Sequence, residues 1–489
     1  RGGPVTASRD NRWITLLVLC TGMLMVVLDA TVVNVALPSI QRDLGFTQSS
    51  LAWVVNAYLI AFGGLLLLAG RLGDLISRRG MFMSGLVVFT AASVACGASQ
   101  SAGMLVAARF IQGVGGAMTT AVVLGMIFTM FPERRDQAKA MGVFSFVASG
   151  GGSIGLIAGG VITDAISWHW IFLINVPIGI ATFLLAARFV PADRGLGLSK
   201  GADILGAALI TSALMLLVFT IVKPAADEGW GSSTTILCLV GVIALLAAFV
   251  WRESTAAQPL IPLRIFRVRT VTASNIIQAL LVAGMFGTFF LGSLYMQRIL
   301  GYTPLQIGLA FLPLTLVMGV LSLKYSEPLI MRFGPRRMLV PGMTLVMVGL
   351  LWFARTPTDG NYLVDLLPIM PLIGAGFAIC GPSLVTLSMS AATQEDAGLA
   401  SGLINTTTQV GGALGLAVLA TLAASHTENL RAAGESTSAA LNSGYHLAYL
   451  IGAGLTFVSL LIAAFVLRER QEPAAAHARD PEPAYAEAS

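Results

Sequence analysis

Charge is what this sequence has least of. Only 11% of its 489 residues are Asp, Glu, Lys or Arg, against about 25% in a soluble globular protein, and the deficit runs along the whole length. That excludes a water-soluble enzyme held by one anchor helix. Histidine is scarce too: the four stand at 169, 426, 446 and 477, none at an expected mid-membrane position. A membrane-embedded enzyme working by acid–base chemistry is therefore disfavoured. The four cysteines, Cys20, Cys96, Cys238 and Cys380, lie singly in apolar runs without disulfide or metal-ligand spacing, so no metal site is expected. No G-x-x-x-x-G-K-[ST] string occurs, and direct coupling to ATP would need another polypeptide. The net charge of +5 is not gathered on one polar face, and no nucleic-acid partner is expected.

What the chain does have is apolar sequence: 56% of it is hydrophobic and its mean hydropathy is +0.82. At about 20 residues per crossing, the stretches between charges and Gly/Pro breaks predict helices at 13–37, 51–70, 81–98, 103–128, 138–162 and 170–190. A pair follows at 203–223 and 233–251, then six more at 271–294, 303–323, 337–354, 363–388, 399–423 and 445–467. The expected fold is an all-α polytopic membrane protein with fourteen transmembrane helices: a six-helix bundle in 13–190, two additional helices in 191–252 and a second six-helix bundle in 271–467. The first apolar segment exceeds a signal-peptide core and contains Asp29, so it is read as a retained helix. Residues 1–12 form a short leading segment. Residues 468–489, rich in Ala, Pro, Glu and Arg, have too few large apolar residues to pack and are expected to be disordered.

Positive residues accumulate in cytoplasmic loops. With the N-terminus inside, internal segments hold 23 of the 29 Lys and Arg residues, external loops hold Arg42, Lys223, Arg298, Arg355 and Arg431, and Arg109 falls within a helix. Both termini are thus expected to be cytoplasmic, in a multi-pass protein of the cell membrane. A repeat supports the two-block organisation. A shift of 260 residues pairs Asp136, Ala140, Gly142, Gly151, Gly152, Gly155 and Leu156 with Asp396, Ala400, Gly402, Gly411, Gly412, Gly415 and Leu416, seven identities in twenty-one gapless positions. A same-direction repeat of six-helix halves suits two bundles that rock about a central site.

Few residues carry chemistry. Asp29, in LDATVVNVALPSI, is the one carboxylate deep in a predicted helix, where an unpaired charge is costly. It either pairs with a neighbour to fix packing or takes up and releases a proton. Arg109, in the fourth predicted helix, is the natural partner, because at about 1.5 Å per residue both fall at similar depth in the outer half of the membrane; the other reading of Arg109 is a side chain that snorkels to the interface. Gln112, Gly113, Gly116 and Thr120 follow it at helical spacing, a face suited to a cavity or to a neighbouring backbone. The connection GRLGDLISRRG, Gly70 to Gly80, holds Asp74 among Arg71, Arg78 and Arg79, where an acid can pair with arginine or meet a helix N-terminus. GGGSIGLIAGG, Gly150 to Gly160, is glycine-rich enough for helices to approach closely and slide. Polar and aromatic residues within helices, namely Asn34, Tyr58, Gln112, Phe286, Phe289, Asn405 and Gln409, are candidates for a substrate cavity, with Asn405 and Gln409 four apart on one face.

LDATVVNVALP, GRLGDLISRRG, RFIQGVGGA, the glycine run and WHWIFLINVPIG together resemble the major facilitator superfamily, and fourteen helices resemble its drug:proton antiporter branch. The resemblance spans nearly the whole chain. It implies that Asp29 couples protons, that Arg109 takes part in proton transfer, and that Gly70, Gly73, Asp74, Arg78 and Arg79 belong to a cytoplasmic gate. Gly151, Gly152, Gly155, Gly159 and Gly160 match the family's helix 5 glycine motif. Two positions depart from the family pattern: Leu156 stands where proline usually follows the motif glycine, and His169 where arginine is common. The implied function is proton-driven export of amphipathic small molecules such as drugs, antibiotics and lipophilic cations, by a monomer in the lipid bilayer with protons as coupling ion and no other cofactor. The alternatives are a dedicated exporter of one endogenous metabolite or lipid and, less favoured, a membrane-embedded enzyme.

Overall fold

A computed structural model describes residues 9–131, 133–193, 195, 197, 203–257, 259–391 and 397–467; residues 1–8, the tail 468–489 and Asp396 of the repeat lie outside the described residues. Among the described residues there are helices and no strands. The longer helices are α1 (Arg9–Leu44), α2 (Trp53–Leu75), α3 (Arg78–Gly97), α4 (Ala102–Met130), α5 (Arg134–Ala165), α6 (Asn175–Phe189), α7 (Ile204–Val222), α8 (Ser233–Thr255), α9 (Arg269–Arg298), α10 (Pro304–Val320), α11 (Pro335–Phe353), α12 (Ile369–Ala391), α13 (Ala397–Ala432) and α14 (Thr437–Phe465). Among the described residues, twelve helices are long and apolar enough to cross a membrane; Ile154–Ala165 of α5 and the whole of α10 are shorter apolar helices.

Several boundaries differ from the sequence reading, each for a physical reason. The first helix was expected to end before Pro38, yet α1 carries that proline inside it and runs on to Leu44. A proline removes one N–H donor, but ending a helix in an apolar medium frees more backbone groups than that. Pro313, Pro341 and Pro382 also sit inside helices. GRLGDLISRRG, read as a connection, is mostly helical: α2 continues through Leu75 and α3 starts at Arg78, leaving Ile76 and Ser77 between them. α13 and α14 reach eight or more residues past their expected inner limits, to Ala432 and back to Thr437, as polar helix beyond the apolar stretch.

In the first six helices α4 packs on α2 and α3, and α1 on α5; in the last six α9 packs on α13 and α14, and α11 on α12. The repeat becomes a contact. A methyl added at Gly151 would lie 2.9 Å from Leu24 of α1 and one at Gly155 3.2 Å from the Leu28 carbonyl oxygen, while methyls at Gly411 and Gly415 would meet Ala279 and Ala283 of α9 at 2.7 and 2.1 Å. Gly152 faces Thr31 as Gly412 faces Phe286, so the partners on α1 and α9 keep a constant offset of 255 residues, which puts Gly284 where the first set has Asp29.

The two sets meet through α5 with α10 and α2 with α13. Here too backbones touch: a methyl at Gly308 would sit 2.3 Å from the Leu156 carbonyl oxygen, and one at Gly160 2.7 Å from Leu305 Cα. α7 packs against both α2 and α13, and α8 mainly against α7.

Within α4 the glycines decide how near its neighbours come. A methyl at Gly113 would lie 2.4 Å from the Tyr58 carbonyl oxygen, and one at Gly115 2.4 Å from the Phe89 nitrogen, whereas Gly103 has nothing within 4 Å. Gly113→Ala should therefore cost about 1–3 kcal/mol by overpacking and lower the thermal unfolding temperature in detergent. Gly103→Ala should leave it unchanged or raise it. Equal behaviour of the two variants would contradict backbone-level packing at Gly113.

Candidate functional site

The sequence places one acid and one base at similar depth on α1 and α4, and the fold brings them together. Arg109 Nη1 donates to Asp29 Oδ2, and both side chains are sealed from solvent, at 1% and 2% exposure. A buried ion pair is favourable only when further hydrogen bonds compensate its desolvation, and several do so here. Asp29 Oδ1 accepts from Gln112 Nε2 at 2.8 Å and from Asn175 Nδ2 of α6 at 3.1 Å. Arg109 also donates from Nε to the Val54 carbonyl at 2.9 Å and from Nη1 to Gln112 Oε1 at 2.6 Å. Gln112 in turn donates to Ser93 Oγ of α3 at 2.9 Å. The guanidinium lies over the Tyr58 ring at 4.4 Å and the Phe172 ring at 5.6 Å from their centroids, contacts that favour a cation.

Three of the expected cavity residues sit in packed surroundings. Gln112 is fully buried inside the ion-pair network rather than on a cavity wall. Its helical spacing from Arg109 puts it on the face that turns toward α1 and α3. Tyr58 is buried beneath Arg109, its hydroxyl without a hydrogen-bond partner. Phe289 is buried against Phe311, with ring centroids 5.0 Å apart. The others scatter. Asn34 is buried and donates to the Ala30 carbonyl at 3.0 Å. Phe286 packs over Gly412, Gln409 lies partly buried against Gly63 of α2, and Asn405 is exposed on α13. Near them, Thr407 donates to Asn275 and Gln278 to Thr408, at 2.7 and 2.9 Å, linking α13 to α9. Sequence reasoning missed the roles of Ser93, in a stretch read only as apolar, and of Asn175, which lies in the WHWIFLINVPIG motif but was not singled out.

At the end of the bundle where α1 starts, Asp74 pairs with Arg78 at 2.8 Å. Arg78 also reaches the Gly125 carbonyl at 3.2 Å and Thr129 Oγ1 at 2.9 Å on α4, and Arg79 donates to the Ala187 carbonyl at 2.7 Å. Gly73 lets α2 close on α4, since a methyl there would lie 2.4 Å from Val122, while Gly70 is in ordinary contact with Ala121. A second acid, also missed, completes this cluster. Asp193 follows α6 and accepts from Ser77 Oγ at 2.6 Å and from the backbone N–H groups of Arg78 and Arg79 at 2.7 and 3.1 Å, at the N-terminus of α3. Gly195 and Gly197 hydrogen-bond the carbonyls of Ile76 and Leu75 at 2.9 Å each, so the strand of chain leaving α6 is strapped to the α2–α3 junction. A cavity of about 410 Å³ lies beneath, lined by Gly73, Asp74, Arg78, Met126, Thr129 and Asp193 among others.

At the opposite end Trp168 donates to Asp43 at 2.9 Å and stacks on His169 at 3.7 Å, and His169 Nδ1 lies 2.8 Å from Ser167 Oγ. Arg298 there donates to Gln41 between the two sets of helices. Among the described residues no group of three His, Cys, Asp or Glu side chains is placed to hold a metal.

A buried Asp–Arg pair on the first and fourth of many membrane helices is the arrangement the sequence motifs pointed to, and residues 19–416 match the family model of the Major Facilitator Superfamily. The chain belongs to the Major Facilitator Superfamily. It is 37% identical over 471 residues to the puromycin resistance protein of Streptomyces alboniger, covering 95% of this chain and 93% of the relative. It is 39% identical over 425 residues to the cephamycin export protein of Amycolatopsis lactamdurans, covering 86% and 87%. With the multidrug resistance protein Stp of Mycobacterium tuberculosis it shares 31% over 411 residues, covering 84% and 76%. Its fold resembles that of a bacterial homologue of the human lysosomal transporter Spinster, with a TM-score of 0.70 at 16% identity over 96% of this chain and 100% of the other. Superfamily membership makes the chain a multi-span membrane transporter.

The Asp193 cap has a pH signature. Partial burial works against its charged form, but the hydrogen bonds from Ser77, Arg78 and Arg79 outweigh this and hold the carboxyl below the usual carboxylate range. A lowered carboxyl contributes stability that is complete above its unfolded value of about 3.9 and is lost as pH falls through the folded value. Asp193→Asn should therefore unfold at lower temperature than the parent at pH 6, with the gap narrowing as pH falls below about 4. A gap that stays constant from pH 6 to 3 would mean that the carboxylate charge does not strengthen the cap.

Proposed function

We propose that the protein is a proton-coupled exporter of amphipathic small molecules, working by alternating access, with Asp29 as the proton-binding residue. The observation that carries this reading is the sealed Asp29–Arg109 pair with its Gln112 and Asn175 partners. Removing one partner of such a pair costs about 3–5 kcal/mol, because the other is left charged in a low-dielectric site. Protonating Asp29 has the same electrostatic effect and favours a second arrangement in which Arg109 finds other partners. One proton moving down about 150 mV supplies roughly 3.5 kcal/mol, of the same order as that penalty and enough for a concentration ratio of a few hundred.

In this reading all fourteen helices cross the cell membrane, both termini are cytoplasmic, and α7 and α8 are inserted between two six-helix halves. The skew of 23 in 29 positive residues supports the orientation. The Asp74–Arg78–Asp193 cluster then belongs to the cytoplasmic gate, and no catalysis, metal or organic cofactor is involved. Drug export is favoured by relatives named for resistance to, or export of, puromycin, cephamycin and tetracenomycin C. Those same names favour a second reading, a transporter dedicated to one metabolite, while a relative named for multidrug resistance favours breadth.

Two outcomes test the mechanism. In liposomes with an imposed proton gradient and a fluorescent lipophilic cation as substrate, the parent should transport uphill without ATP. Asp29→Asn should lose uphill transport yet keep downhill exchange. If Asp29→Asn accumulates substrate against a gradient as well as the parent, Asp29 is a packing residue and the coupling site lies elsewhere.

The gate is tested separately. Asp74→Asn removes the acceptor of Arg78 in a partly exposed cluster and should slow turnover about tenfold, a shift worth roughly 1.4 kcal/mol, with substrate affinity unchanged. Parallel loss of affinity and turnover in a well-folded variant would argue against a gating role.

A further inference from the structure

Two more carboxylates are buried in this chain, and nothing in the proposed cycle uses them. Asp203 precedes α7 and is 2% exposed; Glu253 lies near the end of α8 and is 3% exposed. Asp203 caps α7, its Oδ1 accepting from the Gly206 N–H at 2.9 Å, and pairs with Arg252 Nε at 3.0 and 3.1 Å. Glu253 Oε2 accepts from the Ile261 N–H at 2.9 Å, in the segment that leads to α9. Its other oxygen, Oε1, is buried without a hydrogen-bond partner.

That orphan oxygen lies close to Asp203, across Gly206. A methyl added at Gly206 would lie 2.8 Å from Asp203 Oδ2 and 2.9 Å from Glu253 Oε1, so the two oxygens stand within about 6 Å of each other. Only a glycine leaves room for both. Among the described residues, the charged groups acting on Glu253 are Asp203, the cap of α7, and Arg252 of its own helix, and the connecting segment contributes the backbone N–H groups of Leu260 and Ile261. Arg252 is already engaged with Asp203 and is about one-third exposed. One cation thus serves two buried carboxylates, and like charges so placed disfavour double ionisation. A proton on Glu253 Oε1 removes the excess charge beside Asp203 and turns the orphan acceptor into a donor.

We propose that Asp203 and Glu253 share one proton at neutral pH and form a second proton-binding site, separate from Asp29, at the base of the α7–α8 pair. Such a pair titrates as a unit, and the proton belongs to both residues.

Infrared spectroscopy of the full-length protein in detergent tests this through the carbonyl stretch of protonated carboxylic acids, identified by its shift in heavy water. At pH 7 the parent should show a band that disappears as pH is raised. Asp29→Asn should retain it and Glu253→Gln should lose it. Asp203→Asn should also lose it, because freed Arg252 then neutralises Glu253 as a carboxylate, and this variant carries the test if Glu253→Gln does not fold. The proposal is overturned if the parent lacks the band at pH 7, if Glu253→Gln leaves it unchanged, or if Asp203→Asn keeps it, since the proton would then sit on Glu253 alone. Sodium bound at this site instead of a proton would appear as the first of these outcomes.

Discussion

Burying Asp29 with Arg109 is the constraint from which the first half of the molecule follows. Two charges without water need several further hydrogen bonds to offset their desolvation, and no single neighbour can supply them. The partners come from α1, α2, α3, α4 and α6: the carboxylate, the Val54 carbonyl, Ser93, Gln112 and Asn175. Five helices must therefore converge at one depth. The glycines of α4 make this possible, because Gly113 and Gly115 admit the backbones of α2 and α3 that a larger residue would hold away. An apolar replacement of such a pair is often as stable or more so. Packing alone is a weak reason to keep it, and this favours reading the pair as a switch.

The pair was legible in the sequence because depth along a helix is simple arithmetic. Its surroundings were not. Helical spacing places Gln112 on the face of Arg109, but no pattern in α4 says whether that face turns to a cavity or to α1 and α3. Asn175 lies 146 residues from Asp29, in a motif that the sequence showed without showing which residue it would meet. Asp193 gave no signal either: a lone acid in a polar connection looks like any solvated residue, and only the fold shows that it caps a helix beginning more than a hundred positions earlier. The fold itself was read more easily. Apolar runs located the helices, while their ends slipped wherever a buried proline stayed within a helix or a polar stretch continued one.

The repeat was visible as glycines, and the structure supplies their meaning. Each half presses one glycine-rich helix onto its first helix in the same register, but the register that holds Asp29 in the first half holds Gly284 in the second. The halves share packing and differ in charge. A device that senses a proton through Asp29 can then reside in one half only, while the second contributes neutral polar groups such as Asn275, Gln278, Thr407 and Thr408. At Gly63, Gly160 and Gly308 the two sets of helices come close enough that a methyl would collide, with the Gln409 side chain at Gly63 and with backbone at Gly160 and Gly308. Small-residue surfaces of this kind let rigid bodies rock with little repacking.

α7 and α8 are tied to the two sets of helices unequally. The chain leaving α6 is strapped to the α2–α3 junction by Asp193, Gly195 and Gly197 before α7 begins. α7 then packs on α2 and also on α13. Where α8 ends, Glu253 holds the segment toward α9 through the Ile261 N–H, beside Asp203 and the Arg252 that pairs with it. An element fastened to the first half by several hydrogen bonds, and to the second by a contact surface and a titratable clasp, should travel with the first half. In the proposed cycle, sliding between α7 and α13 accompanies each opening, and the proposed Asp203–Glu253 site is where that movement meets a proton.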